Sequence, residues 1–168
     1  MALAVVLSVD DDDEGAPEAK LAAPLRAAED RTPRGSDQAT NARWRVLVAE
    51  DDSELRRSLV DLFELPGYTV LEAADGEQAI DRLADSPDVM VLDLHMPKRD
   101  GLAVLEELGE PPPLVILYSA FSLYHAEQLE ERGVRSRVFR AFRKPVPPAQ
   151  LLHAVADAIA ELGGEGGA

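Results

Sequence analysis

The chain changes character at Trp44. Before it, apolar positions follow no sustained period; after it, short apolar runs alternate with stretches where apolar residues recur every three or four positions. Arg45–Ala49 is the first run. Leu55, Leu59, Leu62 and Phe63 follow at helical spacing, and Pro66-Gly67 stops that helix. Tyr68–Ala73 predicts a second strand, with the Asp75-Gly76 turn leading into a helix over Glu77–Ala84. Asp88–Leu92 predicts a third strand, and Gly101–Leu108 a helix closed by Gly109 and Pro111-Pro112-Pro113. Leu114–Tyr118 is the fourth strand, then comes a helix over about Tyr124–Arg132 ending at Gly133. Val138–Phe142 predicts a weaker fifth strand and Pro148–Leu162 a final helix. Five alternating strand–helix units predict one α/β domain over 44–162 with a doubly wound, five-stranded parallel sheet.

The flanks differ. Residues 1–43 carry Pro17, Pro24, Pro33 and the run Asp10-Asp11-Asp12-Asp13-Glu14. Such a stretch buries too little apolar surface to offset its ordering entropy, which predicts a flexible extension, with Ala19–Ala28 at most a weak helix. Nothing holds the carboxylates of the acidic run in a fixed geometry, so it reads as solubilising rather than metal-binding. Gly163–Ala168 predicts a flexible tail. A net charge of −15, from 17 basic and 32 acidic residues, disfavours direct contact with nucleic acid or anionic lipid. The absence of cysteine excludes disulfides and thiolate zinc sites. Met1–Val9 is apolar but too short, and lacks the positive start, for a signal peptide or membrane span. The expectation is a soluble, cytoplasmic protein.

Candidate chemistry comes from what ends the apolar runs. Glu50-Asp51-Asp52 follows the first, Asp93 the third, Ser119 the fourth and Lys144-Pro145 the fifth. In an open parallel sheet the strand carboxyl ends share one edge, where ligands bind. There, carboxylates, a hydroxyl and an ammonium suit a divalent cation and a phosphoryl group. Carboxylates packed together repel and raise one another's pKa, a conflict that Mg²⁺ removes. Acids after strands also cap helices, and for Asp52 or Ser53 alone capping is the better account. Asp51 together with Asp93 points to a metal. A carboxylate at a strand end facing a metal can attack a phosphoryl group and form an acyl phosphate. His95 lies just beyond the site's edge, His125 at a helix start, and His153 reads as a helix-surface residue; the three stand too far apart in sequence to argue a zinc site.

Val46–Leu162 resembles the receiver domain of bacterial two-component response regulators. The resemblance rests on Val46-Leu47-Val48-Ala49-Glu50-Asp51-Asp52, Asp75-Gly76, Asp93-Leu94-His95-Met96-Pro97, Asp100-Gly101, Ser119-Ala120 and Lys144-Pro145. Intervals of 42, 26 and 25 residues separate Asp51, Asp93, Ser119 and Lys144. The resemblance implies a flavodoxin-like strand order of 2-1-3-4-5 and phosphoryl acceptance by Asp93 from a histidine kinase or phosphotransfer protein. It implies Mg²⁺ held by Glu50, Asp51, Asp93 and the backbone carbonyl of His95, with Ser119 and Lys144 engaging the phosphate. It also implies a cis Lys144-Pro145 bond, and His95 and Phe121 flanking the path of the hydrolytic water.

Two departures bear on output. Receivers usually carry an aromatic residue three positions before the lysine; here Ala141 stands there, between Phe139 and Phe142 at one remove and next door. The stretch from Gly133 to Lys144 is longer than common and, with Arg132, gathers Arg132, Arg135, Arg137, Arg140, Arg143 and Lys144, either a solvated edge or a surface for an acidic partner or a homodimer. The leading expectation is a stand-alone phosphoacceptor switch, acting on a protein target or in a phosphorelay and not as a turnover enzyme. The alternatives are a Mg²⁺-dependent aspartyl-phosphate phosphohydrolase, whose second Asp two positions after the nucleophile is here His95, and a scaffold indifferent to phosphate.

Overall fold

The computed structural model describes residues 18–19, 41–120 and 123–164. Five parallel strands form the sheet: β1 (Arg45–Ala49), β2 (Thr69–Ala73), β3 (Val89–Leu92), β4 (Leu114–Ser119) and β5 (Val138–Arg143). Their order across the sheet is β2-β1-β3-β4-β5, as the resemblance implied. The helices are α1 (Ser53–Glu64), α2 (Gly76–Arg82), α3 (Gly101–Glu106), α4 (Leu123–Glu131) and α5 (Pro148–Gly164).

The sequence placed every one of these elements, and the differences are at their ends. The helical periodicity over Glu77–Ala84 resolves into α2 and a 3₁₀ turn at Leu83–Asp85, and that over Gly101–Leu108 ends at Glu106. Two differences lie upstream. Glu18–Ala19, within the expected extension, forms an antiparallel two-residue strand against Phe142 and Ala141 on the outer edge of β5. The main body also starts before Trp44: Asn41 Nδ2 donates to the Pro66 carbonyl at 2.9 Å, and Thr69 Oγ1 to the Ala42 carbonyl at 2.8 Å. The acidic run, most of Ala19–Ala28, Phe121 and the end of the glycine-rich tail lie outside the described residues.

Central strands with helices on both faces are buried on both sides, so they read as unbroken apolar runs. Alternate residues feed two cores. Leu47, Met90, Leu92, Val115 and Leu117 pack toward α2, α3 and α4, with Leu105 and Leu129. Val46, Val48, Val89, Val91 and Ile116 pack toward α1 and α5, with Phe63, Leu151 and Val155. The long stretch before Lys144 is absorbed by a 3₁₀ turn at Arg135–Arg137 and a register shift: Val115 faces Val138, but Ile116 faces Arg140, leaving Phe139 as the extra residue.

Two Asp-Gly pairs fix the helices nearest the sheet edge. Asp75 and Asp100 are N-caps, accepting from Gln78 N and Ala103 N at 2.8 Å each. The glycines have a different task. A Cβ on Gly76 would stand 1.9 Å from the Arg99 carbonyl oxygen, and one on Gly101 2.4 Å from the Asp93 carbonyl oxygen. Helix α3 therefore abuts the backbone of the residue at the centre of the site.

Candidate functional site

The ladder continues past the strand ends and sets the backbone of the site. Glu50 N donates to the Ala73 carbonyl and Asp93 N to the Ala49 carbonyl, both at 3.0 Å, and Lys144 N donates to the Ser119 carbonyl at 2.8 Å. The groups predicted to meet do meet. Ser119, fully buried, donates its Oγ proton to Asp93 Oδ1 at 2.6 Å. The His95 N–H donates to the same oxygen at 3.0 Å. Lys144 Nζ reaches Glu50 Oε2 at 2.7 Å and Asp93 Oδ2 at 2.9 Å, and lies 5.4 Å from the centre of the Tyr118 ring. The Lys144-Pro145 bond is cis, as the resemblance implied, and so is Glu110-Pro111.

Glu50, Asp51 and Asp93 bring ligand oxygens within 4.8 Å of one another. Glu50 and Asp93 are 2% and 5% exposed, whereas Asp51 is open to solvent. Burial pushes the Glu50 carboxyl above its ordinary 4.5, and the Lys144 ammonium only partly opposes this. Burial pulls the Lys144 pKa down, but its bonds to Glu50 and Asp93 outweigh that and hold it above 10.5. Glu50 and Asp93 thus share the Lys144 ammonium, with the Asp51 carboxylate beside them. The remaining negative charge and the all-oxygen donor set fit Mg²⁺, which takes one or two carboxylates and keeps several waters.

Neighbouring acids take structural roles. Asp52 caps α1, its Oδ1 accepting from Glu54 N at 2.9 Å and Leu55 N at 3.0 Å. The guanidinium of Arg56 donates to the Glu50 carbonyl at 2.8 Å and bridges to Glu72 at 3.4 Å, which pins the acidic loop from behind.

The departures also find places. Ala141 is buried in the core facing α3 and α4, while Phe142 is buried in the opposite core and Phe139 packs beside it. The basic stretch is largely neutralised within the chain: Arg132 pairs with Glu106, Arg135 with Glu130 and Arg140 with Asp157, while Arg137 donates to the Leu108 carbonyl at 2.7 Å.

Sequence reasoning missed a contact. His95 and His125, thirty positions apart, face each other with Nε2 atoms 3.2 Å apart, their rings near-perpendicular at a centroid distance of 4.7 Å. Nothing in the spacing announces it, because α4 reaches His95 only through the fold. His153 is exposed, as expected.

Comparison with known proteins agrees with this geometry. The response regulator receiver domain family matches residues 46–156. The transcriptional regulatory protein PdtaR of Mycobacterium tuberculosis is 33% identical over 123 residues, 70% of this chain and 58% of that protein. The transcriptional regulatory protein CpxR of Escherichia coli is 41% identical over 75 residues, 44% of this chain and 32% of its own length. The chain thus spans about a third to three-fifths of the curated relatives it matches. Among solved structures, the CheX–CheY–BeF₃–Mg²⁺ complex from Borrelia burgdorferi aligns with a TM-score of 0.62 at 26% identity, covering 76% of this chain and 97% of the matched one. A CheY-like receiver from Methanospirillum hungatei shares the fold, with a TM-score of 0.65 at 23% identity over 73% of this chain and 98% of its own. With that fold, this edge and the match over 46–156, the chain belongs to the response regulator receiver domain family of two-component signalling.

Proposed function

We propose that Asp93 is the phosphoacceptor of a signalling switch whose receiver unit spans 44–162, between an N-terminal extension and a short tail. In this reading Glu50, Asp51, Asp93 and the His95 backbone carbonyl hold Mg²⁺, and Ser119 and Lys144 engage the phosphoryl group. One observation carries it: a 5%-exposed carboxylate that touches a buried hydroxyl on one oxygen and an ammonium on the other, beside two further carboxylates. When bound, Mg²⁺ supplies charge neutralisation for the phosphoryl oxygens.

The rest falls to the chain's own side chains. An Asp93 oxygen attacks phosphorus of a phosphohistidine; the P–N bond breaks, its electron pair leaves with the imidazole, and an aspartyl phosphate forms. Lys144 Nζ, which already spans Glu50 and Asp93, pairs with a phosphoryl oxygen. Ser119 gives up its bond to Asp93 Oδ1 and donates to another. The phosphoryl stays on the protein's own residue, so the chain is a switch and not a turnover enzyme.

The donor is a histidine kinase or phosphotransfer protein. The output is a changed protein contact or onward transfer, a two-state shift biased by one charge event. Kinases of this kind draw on ATP, which places the exchange in the cytoplasm; among the described residues no helix is long and apolar enough to cross a membrane. Intact-mass analysis with acetyl phosphate and Mg²⁺ tests the reading. Wild type gains one phosphoryl mass and Asp93→Asn gains none. Labelling that persists in Asp93→Asn sinks the assignment, and sustained catalytic release of phosphate would favour a phosphohydrolase instead.

A further inference from the structure

We propose that His95 and His125 form a two-imidazole site for a borderline transition-metal cation, Zn²⁺ first of all, on the rim of the sheet edge and separate from the carboxylates. The inference does not rest on the phosphoacceptor reading. Its geometric basis is the separation of the two Nε2 atoms, 3.2 Å. Two imidazole nitrogens held at about 2.0–2.1 Å on a tetrahedral Zn²⁺ stand roughly 3.3–3.4 Å apart. The pair therefore needs to open by only a few tenths of an ångström to admit the ion.

The surroundings set the tautomer of one ligand. Ser119 has a single hydroxyl proton, and it goes to Asp93 Oδ1 at 2.6 Å. The Ser119 oxygen that faces His95 Nδ1 at 3.4 Å is left to accept, so the imidazole proton belongs on Nδ1. That leaves the lone pair of His95 on Nε2, the atom turned toward His125. An oxygen partner on the other ring nitrogen is the support a metal-bound histidine ordinarily has. His95 is exposed and His125 partly so, which leaves water free to fill the remaining positions.

The chemistry separates the two cations. Imidazole nitrogen suits Zn²⁺, Cu²⁺ or Ni²⁺, whereas the all-oxygen cluster of Glu50, Asp51 and Asp93 suits Mg²⁺. The two elements are also independent: His95 follows β3 and His125 lies in α4, so a shared ion would tie α4 to the loop that carries Asp93.

Zinc titration of the full chain by calorimetry, in excess Mg²⁺ so that the carboxylates are occupied, tests this. Wild type is expected to bind one Zn²⁺ with an affinity at least tenfold above that of His125→Gln and of His95→Gln. His125→Gln should keep the Mg²⁺-dependent rise in melting temperature, and a cooperative thermal melt shows that His95→Gln folds. Absence of zinc binding in wild type would overturn the site and leave a plain histidine–histidine contact. Equal binding in wild type and both variants would overturn it too, moving the zinc to the carboxylates or to Asp10–Glu14. Should either variant fail to fold, a zinc-induced shift of the wild-type histidine ring resonances decides the same question, with unmoved rings counting against the site.

Discussion

Two lysine–carboxylate contacts stand on the same edge of the sheet, and they are built differently. Lys98 Nζ meets Asp75 Oδ2 at 2.7 Å, one ammonium for one buried carboxylate, with Glu77 3.5 Å away at the surface. The Gln78 N–H, followed by Lys98, holds the Asp75 carboxyl below its ordinary 3.8. Lys144 meets Glu50 and Asp93 at nearly the same distances, but there burial wins and Glu50 is pushed up. The lysine side chain is 51% exposed in the first case and 22% in the second. Similar residues at similar distances therefore make a satisfied cap in one place and an over-subscribed ammonium in the other. Distance does not separate a structural ion pair from a ligand site; the number of buried carboxylates around one ammonium does.

The largest effect that tests this contrast is Lys144→Met. Removing the ammonium that two buried carboxylates share should destabilise the Mg²⁺-free fold by about 3 kcal/mol at neutral pH. Added Mg²⁺ should restore much of the loss, and urea unfolding with and without the ion measures both. Next comes the ion itself. Wild type should gain stability as Mg²⁺ rises, by roughly 2.7 kcal/mol at a hundredfold excess over the dissociation constant. Asp51→Ala should remove most of that gain, and a metal-dependent melting shift that survives it would move the site off Asp51. Lys98→Met should lower the urea midpoint by only a small fraction of the Lys144→Met effect, because Lys98 is half exposed and Gln78 still donates to both Asp75 oxygens.

The smallest effect is one of pH. Asp75, depressed below 3.8, contributes stability that is present above about pH 4 and lost as pH falls through its folded value. Asp75→Asn should therefore flatten the fall in stability below about pH 4. An unchanged slope would show that other carboxylates govern the acid limb.

Much of the architecture was legible because hydrophobic burial is periodic. Strands covered on both faces had to read as apolar runs, and they did. The site was legible for a related reason: Glu50, Asp93 and Ser119 each break an apolar pattern at a strand end, where a polar group needs an explanation. What escaped depends on contacts between elements. The His95–His125 approach and the Arg56 brace behind the acidic loop pair residues whose own neighbourhoods look ordinary. The Glu18–Ala19 strand escaped because two residues carry no period, and only the free edge of β5 selects them. The basic stretch shows the converse: its arginines cluster in sequence but are divided among Glu106, Glu130 and Asp157 in space.

The contact at Gly101 has a practical consequence. With 2.4 Å between an added Cβ and the Asp93 carbonyl oxygen, there is no slack between the first turn of α3 and the backbone that bears the proposed acceptor. The Gly101 N–H also holds the Leu94 carbonyl at 3.0 Å. Helix α3 is thus a strain gauge fastened to residues 93 and 94. An environment-sensitive dye on its exposed Glu106 or Glu107 would read displacement of that backbone optically, with no label inside the site.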